Sequence, residues 1–397
     1  MHHYIFGYEL PDTTILLTES GKCLILATKK KCEFLEPAVG NAPTESTIKK
    51  LTLLTRNKSD ENKENFETLM EEAGMVKNDE TDSKKRVGVF LKEWSGGINT
   101  GPILSSWQKI LDAAANIELV DVSPGIGLTL AVKDEVELDL MRKSSVLSNK
   151  VLKHGFIPRI EEVMDSEQSV THEQLSTEIE GMIEDPSKIK LKVPKDHVQS
   201  CYFPILQSGG EYDLRISAQS TDKTMKEDII TVSLGARYQL YCSNVARTFL
   251  VDPPRPVSET YETLLSTQEA CLKAMIPGKP LKGVYLAAVK RLKQEGRDDL
   301  VKCLPKNLGF SIGLDFREPS LVLNAKNPAL FRTGMVFNLS IGFSNVTLSE
   351  SARSSCNSKS AVSSVFIPFF ISSLCLASHL NRLLHFLFFC VYKYMNS

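Results

Sequence analysis

The chain has 397 residues, of which 24% are charged and 42% hydrophobic, and its formal net charge is −1. That balance excludes a global basic excess of the kind that drives nucleic-acid binding, so any DNA affinity must be local. Nine cysteines lie scattered with no C-x-x-C pair and no N-terminal signal sequence, which points to reduced core thiols in a reducing compartment rather than disulfides or zinc.

The length suits two domains. His2 and His3, adjacent at the chain start, lack a coordinating shell. The segments ILLTES, CLILAT and RVGVFL predict strands, mixed with a polar helical stretch from Asp60 to Gly74. Lys29-Lys30-Lys31 and Lys84-Lys85-Arg86 read as solvated surface. A turn-like break at Val122-Ser123-Pro124-Gly125 follows strand-like Ile117 to Val120 and sets the boundary: an α/β lobe over 1–124 and a second domain over 125–345.

Downstream, Val136, Leu140, Leu147 and Val151 fall on one helical face, and His154-Gly155 is expected to end that helix. Thr171 and Gln174 form a capping box before Leu175, Ile179, Met182 and Ile183, with Pro186 as the stop. The β-rich run Ile229 to Leu234, a Gly235-Ala236 turn and a second run ending at Pro253-Pro254 predict a hairpin. Ser258 is the expected cap of a third helix ending at Pro277-Gly278, and a fourth spans Leu281 to Gln294. Helices interleaved with the hairpin suit an α+β layout, an antiparallel sheet wrapped by helices.

The hairpin carries the most specific signal. It resembles the "pita-bread" fold of methionine aminopeptidases, prolidases and creatinases, in which two metal-binding Asp sit eleven residues apart in a pattern like D-x-G…Y-x-[SG]-D-x-x-R-T-F. Ser233 and Asn244 keep that spacing, with Gly235, Tyr241, Arg247, Thr248 and Phe249 matching around them. The family's G-H-G-I-G segment reads Gly309-Phe310-Ser311-Ile312-Gly313, and the Glu expected after G-M-V-F-T-I is Ser340. Hard divalent ions need anionic oxygen ligands, which Ser233, Asn244, Phe310 and Ser340 do not supply. The imidazole such enzymes carry upstream of the first Asp is unmatched too, there being no His between His197 and His379. Without metal-bound water or a general base, no catalytic residue, cofactor or metal site is assigned.

One branch of the family departs in this same way, the large subunit of the FACT histone chaperone. The chain is similar to it in FGYELPDTTI, KKKCEFLEP, FPILQSGGEYDL, YCSNVARTFLVDPP and LPKNLGFSIGLDFREPSLVLNAKN. The resemblance implies an α/β amino-terminal lobe before an incomplete pita-bread domain, no enzymatic activity and no small-molecule substrate. It further implies a nuclear, chromosomal component that binds histones and nucleosomes during transcription elongation, replication and repair, paired with an HMG-box partner subunit through domains outside this chain. The groove where a relative holds substrate is expected to take a peptide, with Ser233, Asn244, Arg247 and Phe310 as its residues. The family pattern stops near Asn345, so residues 346–397 are expected to be a non-family tail, and the chain a fragment at both ends. Two other readings remain: a metallo-aminopeptidase with an unusual ion, and a membrane anchor in the hydrophobic run 360–391.

Overall fold

The computed structural model describes residues 2–7, 9–41, 46–57, 61–76, 84–91, 94, 101–210, 212–213, 215, 217–346 and the strand 365–371. The fold is mixed α+β, and the chain divides into two compact units, Met1–Ile126 and Gly127–Ser397.

In the amino-terminal unit the apolar run Lys22–Ala27 (β2) is the middle strand of three, antiparallel to Thr14–Leu17 (β1) and parallel to Lys50–Thr55 (β3). A middle strand covered on both faces needs apolar residues at every position. Leu24 and Leu26 pack with Phe66 and Leu69 of the helix Lys63–Glu72 and with Trp107 of the helix Pro102–Ala113, while Cys23, Ile25 and Ala27 pack with Cys32 and Leu35 of the helix Lys29–Leu35. These three helices are α1 (Lys29–Leu35), α2 (Lys63–Glu72) and α3 (Pro102–Ala113). A two-stranded parallel pair, Lys85–Val89 (β4) and Ile117–Asp121 (β5), completes the unit.

Helix α4 (Ser123–Ala131) spans the division, and α5 (Glu135–Val151) follows. Asp134 caps α5 by accepting from Glu137 N–H at 2.8 Å, and Glu137 returns the bond from Asp134 N–H at 2.9 Å. The buried face of α5 is rotated from the expected one: Leu138, Met141, Ser144, Leu147, Ser148 and Val151 point inward, whereas Val136 is 69% exposed. Nor does the helix stop at His154-Gly155. Residues Leu152–Phe156 make a π turn closed by Ile157 N–H on Leu152 O, and the chain runs on into α6 (Ile157–Asp165). The glycine serves close approach rather than termination, since a Cβ there would stand 2.5 Å from Met182 Sδ and 3.3 Å from Ile189 Cγ2. Helix α7 (His172–Glu184) has the expected capping box, with Gln174 N–H on Thr171 Oγ1 at 3.2 Å. Helix α8 (Arg255–Ala274) begins three residues ahead of Ser258, because Pro256 pre-sets the first turn, and α9 (Lys282–Gln294) follows.

Seven strands form the principal sheet in the order β13-β12-β14-β15-β11-β8-β7. They are β7 (Ile205–Gln207), β8 (Ile229–Leu234), β11 (Val245–Leu250), β12 (Asn307–Ser311), β13 (Glu318–Asn324), β14 (Phe337–Val346) and β15 (Val365–Ile371). One face is backed by helices. Leu339, Ile341 and Phe343 pack with residues of α8 and α9, and Ile230, Val232 and Leu234 pack with Leu147, Phe156, Ile179 and Ile183. Each such side chain contributes about 1.5–3 kcal/mol on burial. Alternation along the strands leaves Ser233, Asn338 and Ser340 on the other face.

Among the described residues no helix is long and apolar enough to cross a membrane. Of the hydrophobic run 360–391, only 365–371 is described, as strand β15 paired antiparallel with β14 and β11; the rest of the anchor reading lies outside the described residues.

Candidate functional site: a neutral hydroxyl and amide centre

Gly235 is not the hairpin turn. The chain passes through it from β8 into β9 (Ala236–Tyr238), which joins β6 (Val198–Ser200) and β10 (Tyr241–Cys242) in a second sheet. The reversal is at Gln239 and Leu240, with φ of 45° and 70°, a left-handed turn carried by residues that give no turn signal in sequence. The chain then returns past Ser243 and Asn244 into β11, which pairs with β8 in the register Ser233↔Ala246 and Arg247↔Val232.

The bend is held from below by hydroxyls on α5. Ser144 Oγ donates to Ser243 Oγ at 2.8 Å, Ser148 and Ser243 are 2.7 Å apart, and Ala236 N–H donates to Ser148 Oγ at 3.2 Å. That is why two serines occupy the buried face of α5: they pair with hairpin groups that water cannot reach.

Above them Ser233 and Asn244, the two positions matched to the family's Asp pair, converge on one phenol. Ser233 Oγ and Asn244 Oδ1 each lie 2.5 Å from Tyr202 Oη, with Tyr202 donating to Asn244. A phenol has one proton, so Ser233 is the donor to Tyr202 and the relay runs Ser233 to Tyr202 to Asn244. Burial pushes the Tyr202 phenol well above its ordinary range, so it stays protonated. Its ring is packed edge-on against Phe316 at 5.2 Å, and Phe316 in turn lies 5.6 Å from Phe310, over which Arg317 places its guanidinium at 5.6 Å. Phe310, at the family's histidine position, is 4% exposed and fills its site.

Ser340 lies on the same face. The pairings Ser233↔Ala246, Ala246↔Phe370 and Phe370↔Ser340 put Ser233 and Ser340 in one cross-strand row, and Phe310↔Asn338 is the adjoining pair on that face. Arg247, expected to line the groove, does not: opposite Val232 it takes the helix-backed face, beside Tyr261 of α8, where burial lowers its pKa.

Beside this centre, Cys201 Sγ donates to the Ser243 carbonyl at 3.7 Å, and burial pushes its thiol up, while Cys242 Sγ faces the Leu240 and Leu314 carbonyls at 3.7 and 3.6 Å. Gly235 is required here, because a Cβ would stand 2.9 Å from Ser243 O and from Tyr202 Cε1.

The donor set does not fit a hard dication. The sequence-assigned positions offer two hydroxyls, an amide and a phenyl ring, and the Tyr202 hydroxyl occupies the gap between Ser233 and Asn244. Among the described residues no group of three or more His, Cys, Asp or Glu side chains is placed to hold a metal. Tyr202 lies outside the motif blocks, the serines of α5 sit in an ordinary helical pattern, and Phe316, although inside a block, falls at none of the family's ligand positions, so none of them is legible as a site residue.

Comparison with known proteins follows the two units. Residues 1–125 match the model of the FACT complex subunit SPT16 N-terminal lobe domain, and residues 139–362 match that of metallopeptidase family M24. The FACT complex subunit SPT16 of Dictyostelium discoideum is 36% identical over 349 residues, covering 87% of this chain and 31% of the relative; that of Zea mays is 35% identical, covering 88% and 33%. The chain thus spans about a third of the length of the curated relatives it matches. Among solved structures, the N-terminal domain of SPT16 from Cicer arietinum superposes with a TM-score of 0.81 at 33% identity, covering 93% of this chain and 82% of that one. The X-Pro aminopeptidase of Thermotoga maritima superposes at 0.62 with 17% identity, covering 96% and 92%, a likeness of fold alone.

Proposed function

The chain belongs to the SPT16 family of FACT complex subunits, and on that premise we propose that it is a non-enzymatic histone-chaperone component, its M24-like unit serving as a peptide-binding scaffold. The carrying observation is the relay Ser233–Tyr202–Asn244, in which a phenol and two neutral side chains stand where an aminopeptidase keeps two carboxylates and its metal. A protonated phenol bonded on both sides neither activates water nor accepts a proton.

In this reading the protein works on nuclear chromatin, contacting histones and nucleosomes during transcription elongation, replication and repair. Its HMG-box partner is engaged through regions outside this chain. The peptide lies along the face carrying Ser340 and the Phe310–Arg317 pair, where the Ser340 hydroxyl and a cation over an aromatic ring can receive main-chain groups. Titration of a labelled histone-tail peptide by fluorescence anisotropy tests this. Binding that is lost in Ser340→Trp, with the fold intact by circular dichroism, is the expected result; binding indifferent to Ser340→Trp and to Arg317→Ala moves the site elsewhere.

A further inference from the structure

On the Ser340 face the Ser233–Tyr202–Asn244 relay leaves one side chain unused, Asn338. It is 0% exposed, and neither its Nδ2 nor its Oδ1 has a hydrogen-bond partner. Among the described residues no other buried side chain has both its donor and its acceptor in that state; His197, Arg237 and Gln268 each leave a single atom unbonded. Buried polar groups are satisfied as a rule, so an amide stranded at both ends points to a ligand that meets it. Strand β14 fixes the face on which it stands. Phe337, Leu339, Ile341 and Phe343 belong to the helix-backed core, so alternation puts Asn338 and Ser340 together on the opposite face. Their spacing there is that of two strand residues, about 6.8 Å. Ser340 is half-buried, so the face opens on its side of Asn338. Across the strands Asn338 is paired with Phe310, whose ring lies under the exposed Arg317 guanidinium.

We propose that Asn338 clamps the main chain of an extended peptide, its Oδ1 accepting the N–H and its Nδ2 donating to the C=O of one residue, while Ser340 meets the residue two places along. The clamp rests on the peptide-binding reading above and names how that site holds its ligand. Donor and acceptor chemistry selects the occupant. The amide needs an acceptor and a donor opposite it; a carboxylate offers acceptors alone and an ammonium donors alone, whereas a residue of a peptide offers one of each. In an extended chain the N–H and C=O of a residue leave by the same edge, and that edge recurs at every second residue, which is the interval from Asn338 to Ser340. A side-chain carboxamide offers the same pair once, with no repeat for Ser340. Ser233 and Asn244, neutral and bonded to Tyr202, add no charge that would hold a peptide terminus instead. The peptide enters past Ser340 and turns the Phe310 ring aside to reach the amide.

Fluorescence anisotropy of the labelled histone-tail peptide with the full chain tests the proposal, each main-chain N–H of the peptide being replaced in turn by an ester oxygen. The wild type is expected to lose about fivefold to tenfold in affinity at two positions two residues apart, the cost of one hydrogen bond at each. Asn338→Leu, which keeps the branching of the side chain without its polar atoms, is expected to weaken the parent peptide by about tenfold and to abolish one of the two sensitivities while keeping the other. Where leucine lowers the melting temperature, Asn338→Ser supplies the comparison, and the scan of the wild type needs no variant. Three results overturn the clamp and leave the peptide-binding reading standing: a scan with no sensitive position, both sensitivities surviving in the Asn338 variants, or a loss confined to replacing a glutamine or asparagine side chain of the peptide, which assigns the amide to a side chain. A wild type that binds no peptide overturns the reading and the clamp together.

Discussion

Tyr202 donates its phenolic proton to Asn244 Oδ1 across 2.5 Å, and so closes the gap between Asn244 and Ser233. The same hydroxyl accepts from Ser233. The three side chains form a hydrogen-bonded plug in which each polar group is satisfied by another.

Removing the plug leaves Asn244 Oδ1 and Ser233 Oγ without it in a buried setting. Tyr202→Phe is expected to cost about 2 kcal/mol, the range for stranding buried polar groups, while Ser233→Ala, which leaves the Tyr202–Asn244 bond in place, costs about 1 kcal/mol. Urea denaturation of the two variants reads the difference; equal costs would mean that the phenol does not bridge.

The plug also depends on Gly235. In Gly235→Ala the new Cβ meets a backbone carbonyl and the Tyr202 ring at 2.9 Å, so the ring or the strand must shift. A loss of about 1–3 kcal/mol is expected, the usual cost of overpacking, together with a changed near-ultraviolet circular dichroism signal from the tyrosine. An unchanged melting temperature would contradict the packing described for this bend.

Lys133 gives a pH-dependent prediction. Its side chain is 6% exposed, its Nζ donates to Ala131 O at 2.9 Å, and burial pulls its pKa down from 10.5 to about 8 against the opposing pull of Glu137, Glu318 and Asp315. The unfolded chain holds this proton more tightly than the folded one, so wild-type stability rises as pH climbs through the window from about 8 to 10.5, and the penalty is complete below 8. Lys133→Met removes the penalty. It is expected to raise stability at pH 7 by up to about 3 kcal/mol, with the gain shrinking through that window, as read by denaturation at a series of pH values.

The capping box of α7 offers a local check. Thr171→Ala removes the acceptor for Gln174 N–H and is expected to cost about 1 kcal/mol of stability. Thr171→Ser, which keeps the oxygen, is expected to recover most of it.

What the sequence made legible is what repeats at fixed spacing. Ser233 and Asn244 were found because an eleven-residue interval and the flanking Gly235 and Arg247-Thr248-Phe249 survive even when the ligands do not, and the capping box at Thr171 because its two partners are three residues apart. Tyr202 was not found: it meets Ser233 and Asn244 only through the tertiary fold, from 31 and 42 residues away. The hairpin reversal is hidden for a related reason, since Gln239 and Leu240 adopt left-handed φ without glycine or asparagine to announce it. The face of Arg247 was set by strand register, and the buried face of α5 by serines whose partners lie on the hairpin, neither of which a helical or alternating pattern encodes.

In the proposed reading this M24-like centre is a neutral, tyrosine-plugged scaffold. Isothermal titration of Mn²⁺ or Co²⁺ into the metal-stripped chain, followed by an assay of the same samples for release of the first residue from X-Pro peptides, tests it most directly. The account predicts no saturable site and no turnover above the rate without protein. Stoichiometric binding of either ion accompanied by peptide hydrolysis would contradict it.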